Sequence, residues 1–215
     1  MYWSITKFYK SNLHALASFR LTMLAYPCMG ILLSMCTPRT SGRAHGFLAM
    51  DSLLNAQAGK LSQARATLHK EIRFGDETEA ITVVPADTTA WLKELEVFAA
   101  IDAINKPINR DRYQVSDASD PKSNLRVKEF LTRDDLPVKS VRLYYYRVPE
   151  SLRKIEALYI EHNGLYKNSR NLSMEFSDFN GLPVMTSYAI AGGQKMFLDD
   201  TVQYDIKGKV RMEIK

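Results

Sequence analysis

Beyond Pro107 the apolar residues recur at every second position, and that period constrains the fold more than any other feature of the chain. Leu172, Met174 and Phe176 alternate with Asn171, Ser173, Glu175 and Ser177. Val202, Tyr204 and Ile206 alternate with Thr201, Gln203, Asp205 and Lys207, and Val210, Met212 and Ile214 with Lys209, Arg211, Glu213 and Lys215. A period of two sends one set to each face of an extended chain, the pattern of antiparallel strands with one buried and one wet face. Asn163-Gly164, Asn180-Gly181, Gly192-Gly193 and Lys207-Gly208 supply turns between the runs. The pattern predicts strands near 112–117, 124–132, 138–148, 153–162, 165–178, 182–191 and 196–206. Their short connections favour an up-and-down meander.

Before Pro107 the period is that of a helix. Met50, Leu53, Leu54, Leu61, Ala64 and Leu68 share one helical face, and Ala56, Ala58 and Ala66 add helix propensity. Gly75 is the expected stop, followed by a short β-prone run from Glu79 to Val84 that Pro85 ends. Asp87 should cap a second helix with Trp91, Leu92, Leu95, Phe98, Ala99 and Ile101 inside, ending at Asn105-Lys106-Pro107. The expected fold class is α+β: two N-terminal helices packed on a curled antiparallel β-meander of about seven strands, one domain over 47–215.

Ahead of that domain lie fifteen uncharged residues, Leu21 to Met35 (LTMLAYPCMGILLSM), preceded by Lys7, Lys10 and Arg20 and by no acid. A basic flank followed by a short apolar core is the layout of an export signal, whereas a membrane span needs ~20 apolar residues. Leu33-Ser34-Met35-Cys36 resembles the lipobox of bacterial lipoproteins, in which Leu, a small residue and Gly or Ala precede the cysteine; Met35 is larger than the usual residue there. The resemblance implies cleavage before Cys36, acylation of that cysteine, and a membrane contact made through the lipid. Residues 1–35 are then a signal peptide and 36–46, polar and turn-rich, a flexible tether. Cleavage near Gly42-Arg43-Ala44, an uncut N-terminal anchor, a buried helix, or translated upstream sequence with a start at Met23 or Met29 are the other readings of the segment.

The formal charge of +5 falls to +2 once residues 1–35, with three basic residues and no acids, are set aside. A balanced surface gives no electrostatic footprint for nucleic acid. Both cysteines, Cys28 and Cys36, lie in the N-terminal region, so no disulfide or thiolate-rich metal site belongs to the domain body. A body of about 160 residues can hold itself together by its core alone.

Nothing in the sequence advertises catalysis or a cofactor. His45, His69 and His162 are far apart and make no metal-ligand spacing; each reads as structural. Gly192-Gly193-Gln194-Lys195 lacks the spacing of a phosphate loop, no serine stands in a GxSxG context, and Asp134-Asp135 and Asp199-Asp200 read as turn chemistry. In Val141-Arg142-Leu143-Tyr144-Tyr145-Tyr146-Arg147, alternation sends Tyr144 and Tyr146 to one face and Leu143 and Tyr145 to the other, so neither face is wholly polar. The stretch 182–191 shows the same lack of a polar face. Such strands are covered on both sides or line a cavity, and cover is the simpler account.

A curved antiparallel sheet with helices in its concavity, exported and lipidated, resembles in architecture the lipoprotein-carrier half-barrels of the Gram-negative envelope. That resemblance spans residues 50–210 and rests on no motif; it implies binding of acyl chains. The leading expectation is an exported, non-catalytic lipoprotein of the cell envelope, in the periplasm or outer membrane, that binds a lipid or other hydrophobic ligand. Trp91, Tyr144, Tyr146 and Tyr188 are the expected ligand-binding residues, and Cys36 the lipidation site. The alternative is a membrane-tethered module that presents one sheet face to an envelope protein partner. An enzyme would need a nucleophile–base pair that the sequence does not show.

Overall fold

The computed structural model describes residues 49–162, 165–179, 181–196 and 201–212. The apolar N-terminal segment, Cys36, the tether, His45, the Asn163-Gly164 turn, Asn180 and Asp199-Asp200 lie outside the described residues. The described residues form an α+β arrangement dominated by an open antiparallel sheet of nine strands.

Helix α1 (Met50–Gln63) buries Met50, Leu54, Ala58 and Leu61. It stops twelve residues before the expected glycine. Ala66 N–H donates to Leu61 O and Arg65 N–H to Ser62 O, both at 3.0 Å, while Arg65 takes a left-handed conformation with φ 48°. This is a Schellman closure, and the buried pair Leu61 and Ala66 supplies its apolar contact. Leu68, expected on the helix face, instead belongs to strand β1 (Thr67–Phe74), which turns back as β2 (Glu77–Val83). Gly75, with φ 60°, is the first residue of the two-residue turn between them and not a helix stop.

Helix α2 (Thr88–Leu95) begins where the sequence places it, with the Asp87 carboxylate accepting the Ala90 N–H at 2.8 Å. The chain tightens into 3-10 segments at Glu96–Asn105 and Pro107–Arg112. Trp91, Leu95, Phe98, Ile101 and Ile104 point into the core along this stretch.

Seven strands follow: β3 (Gln114–Ser119), β4 (Arg126–Leu131), β5 (Val138–Tyr145), β6 (Leu152–His162), β7 (Tyr166–Phe179), β8 (Leu182–Met196) and β9 (Val202–Arg211). Each pairs with the next, so they form the expected meander, and the β1–β2 hairpin adds two more strands at the free side of β9. The order is β2-β1-β9-β8-β7-β6-β5-β4-β3, with nine strands where about seven were expected. Every residue of the two edge strands, β2 and β3, is exposed.

Two expected turns are strand interior. Gly192-Gly193 lies within β8, paired with Arg170 and Ser169 on β7 and with Tyr204 and Gln203 on β9. Gly208 lies within β9, between Tyr188 and Lys70. In both places glycine marks a close approach: a Cβ on Gly192 would meet Ser169 O and the Tyr204 ring, and one on Gly208 would meet the Tyr188 ring.

The register aligns apolar residues across eight of the nine strands, all but the edge strand β2. Ile72, Ile206, Ile190, Leu172, Ala157, Val141, Phe130 and Val115 form one continuous cross-strand row. Its middle members join a buried cluster with Leu54, Leu61, Trp91, Leu95, Phe98 and Ile101 from the helical segments. The face carrying this row is termed the inner face below.

Candidate ligand-binding site

The four aromatic residues singled out from the sequence are split between the two faces of the sheet and do not form one site. Trp91 and Tyr188 are core residues, 0% and 2% exposed. The Tyr188 ring packs edge-on against Phe98 with centroids 5.9 Å apart, and its hydroxyl donates to Glu94. Burial, helped by that carboxylate, drives the phenol well above its ordinary pKa. The Trp91 indole N–H is buried with no hydrogen-bond partner. Tyr144 stands on the outer face, donating to Glu156 at 2.8 Å with the Lys154 ammonium 5.9 Å above its ring. Burial and the Glu156 bond push its phenol up to about 12. Tyr146 is exposed at the end of β5 beneath the Arg147 guanidinium, 5.0 Å from the ring. Leu143 and Tyr145 are buried on the inner face, as alternation requires.

The histidines and acids are occupied by neighbours. His69 Nδ1 pairs with Thr82 Oγ1 at 3.0 Å, and His162 lies 3.9 Å from Asp135. Asp134 accepts from Arg112 at 2.6 Å, and Asp135 from Lys139 at 3.3 Å. Among the described residues no three His, Cys, Asp or Glu side chains are grouped to hold a metal ion.

A different set of residues converges beside the core. Lys70, Lys93, Glu94, Glu96, Val97, Arg170, Ile190 and Ile206 line a cleft of about 380 Å³ between the helical stretch 93–97 and the inner face. Ile190 and Ile206 come from the apolar cross-strand row and form its greasy floor. Lys70 reaches Glu94 at 2.6 Å, so one acid is held by a lysine on one side and by the Tyr188 hydroxyl on the other.

Arg170 is the unusual member. It stands in the row next to the apolar one: Val138, Tyr159, Arg170, Gly192, Tyr204 and Phe74 are aligned across six strands. The guanidinium lies 5.0 Å over the Tyr159 ring, and its Nε is buried with no hydrogen-bond partner among the described residues. Gly192 leaves space on the other side, and the Tyr204 ring leans into it. Burial lifts the phenol pKa of both Tyr159 and Tyr204, while the Arg170 charge opposes the rise. Sequence reasoning missed Arg170 and Lys70, although a signal was present. Arg170 is in phase with Leu172 and Met174, and Lys70 with Leu68 and Ile72, so both are cations at positions the alternation assigns to the buried face.

The outer face carries two larger grooves of about 670 and 580 Å³, which share Asn171 and Ala191. The first is lined mainly by small and polar residues, and the second also by Leu131, Leu158 and Leu172. Trp91, Tyr144, Tyr146 and Tyr188 line none of these three concavities.

No family model, curated protein or solved structure matches this chain.

Proposed function

We propose that this chain is an exported, non-catalytic lipoprotein of a Gram-negative cell envelope. In this reading it is anchored through Cys36 and binds a hydrophobic or amphiphilic ligand in the cleft beside the core. The helical segments lie over one face of a curved sheet, and the ligand enters where their cover ends. One observation carries the reading: a concavity of about 380 Å³ whose floor is Ile190 and Ile206 and whose rim is charged. That combination suits an apolar body with a polar end, and the volume falls within the usual ligand range of ~300–1,000 Å³. Among the described residues no helix is long and apolar enough to cross a membrane, and a lipid on Cys36 would supply the attachment.

Displacement of a solvent-sensitive naphthylamine probe tests the ligand site. Ile206→Lys should weaken probe binding about tenfold while leaving circular dichroism unchanged; unchanged binding would remove the cleft from consideration. Intact mass of membrane-extracted protein, compared with Cys36→Ser, tests the anchor. Acyl mass and membrane association should both disappear with the substitution.

The exposed edge strand β2 favours a second reading, in which the tethered domain engages an envelope protein. Ile81 and Val83, with Val84 just beyond the strand, are exposed beside a backbone edge that is unpaired among the described residues. Ile81→Lys should then abolish partner capture in envelope crosslinking and leave probe binding intact.

A further inference from the structure

Resting on the ligand-binding reading, we propose that the cleft selects an anionic amphiphile, a single acyl chain ending in a carboxylate, and that Arg170 receives the head group. The inference starts from the charge left over. Lys70, Lys93 and Arg170 line the cleft against Glu94 and Glu96. Glu94 is taken by Lys70 at 2.6 Å and by the Tyr188 hydroxyl, so it does not answer Arg170. Glu161, one register step along the inner face, accepts the Tyr159 hydroxyl at 3.3 Å. Among the described residues no carboxylate forms an ion pair with Arg170, whose contact is the Tyr159 ring. Lys93 is exposed at the mouth.

A guanidinium over a ring face still has N–H groups at its edge to offer to an acceptor. One of those donors, Nε, is buried without an acceptor. A buried charged donor in that state is costly, and a carboxylate that approaches edge-on resolves it with two parallel hydrogen bonds. The space above Gly192, the next residue in the row, is taken by the Tyr204 ring, whose hydroxyl end borders Arg170's row. Ile190 and Ile206 lie one row away, where the first methylenes of an acyl chain would rest. The apolar floor thus supplies affinity and Arg170 decides which head group is accepted. Glu96 at the rim disfavours anions, which makes Arg170 the residue on which the preference depends.

The test uses the purified full-length protein at mildly alkaline pH, with the naphthylamine probe displaced by tetradecanoate, tetradecanol, tetradecyltrimethylammonium or acetate. Tetradecanoate should displace the probe at about tenfold lower concentration than tetradecanol, with the ammonium weaker still and acetate inactive. Arg170→Gln should bring tetradecanoate and tetradecanol together and leave tetradecanol unchanged. Arg170→Lys should keep part of the preference, since it retains charge without the fork, and it carries the test if the glutamine variant does not fold. Equal displacement by acid and alcohol in the unsubstituted protein, or a preference that survives Arg170→Gln, would overturn the proposal while leaving the ligand site standing. Failure of every amphiphile to displace the probe would overturn both.

Discussion

The Gln57 side chain of α1 bonds both ways to the backbone of β8 around Met185. Its Oε1 accepts the Met185 N–H at 2.8 Å, and its Nε2 donates to Pro183 O at 3.0 Å. The β8–β9 ladder ends at Ser187↔Lys209, and β8 bulges at Thr186 against β7. Gln57, only 1% exposed, therefore takes over where the ladder stops and satisfies backbone groups that water does not reach. Lys60 Nζ backs it at the same carbonyl, 3.0 Å away.

Gln57→Leu should accordingly destabilise the protein by about 1–3 kcal/mol, because it strands a buried N–H while keeping the volume. Urea unfolding should show a lower midpoint with an unchanged slope. A variant as stable as the parent would mean that the β8 end is served by water instead.

Arg65 carries the left-handed turn that closes α1, at φ 48° and with its side chain exposed. A residue with a Cβ is held there at roughly 1–2 kcal/mol, and glycine relieves that strain at the expense of a more flexible unfolded chain. Arg65→Gly should raise stability by about 1 kcal/mol net, seen as a melting temperature ~2–4 °C higher for a protein of this size. Arg65→Val should move it the other way.

The same arginine explains why part of the fold was hard to read. Helix propensity and the spacing of Leu61, Ala64 and Leu68 run unbroken through a closure that has no glycine to mark it, so β1 was concealed behind an apparent longer helix, while its partner β2 is the β-prone run expected from Glu79 to Val84. The meander was legible because one face of each strand is wet, and the Asp87 cap because its side chain acts within one turn. Gly192 and Gly208 misled for a different reason. Dipeptide composition suggested turns, but the phase of Tyr188, Ile190, Gly192 and of Tyr204, Ile206, Gly208, Val210 passes through them intact. The cleft was only half legible: alternation places Arg170 inward, yet its Tyr159 neighbour is set by cross-strand register, which no single strand encodes. Tyr144 and Tyr188 looked alike in sequence and sit on opposite faces, Tyr144 beside Glu156 and Tyr188 beside Glu94.

Alkaline pH should unfold the protein through its tyrosines. Burial, opposed by Arg112, holds the Tyr113 phenol up to about 12, and burial together with the Glu156 bond does the same for Tyr144. A phenol whose folded pKa is raised releases its proton more readily in the unfolded chain, so the stability it contributes is complete below pH 10 and is lost as pH rises from 10 toward 12. The urea midpoint should fall steadily across that window, and Tyr113→Phe should flatten part of the fall. A midpoint independent of pH over the same range would contradict the buried, protonated state of these hydroxyls.

Gly208 is a position where one added methyl should do marked harm. A Cβ there would collide with three atoms of the Tyr188 ring, which is boxed by Phe98 on one side and held by its hydroxyl to Glu94. The ring cannot swing aside without breaking the Glu94 bond beside the cleft, so Gly208→Ala should cost about 1–3 kcal/mol as overpacking. Gly59, in the middle of α1, gives the contrast: nothing lies within 4 Å of its added Cβ, and alanine there should stabilise by about 0.5–1 kcal/mol through helix propensity. A double-mutant cycle separates collision from backbone effects, because Gly208→Ala introduced into a Tyr188→Ala background meets no ring. The penalty should largely vanish in that background. If it persists there, the strand itself, and not Tyr188, demands glycine at this position.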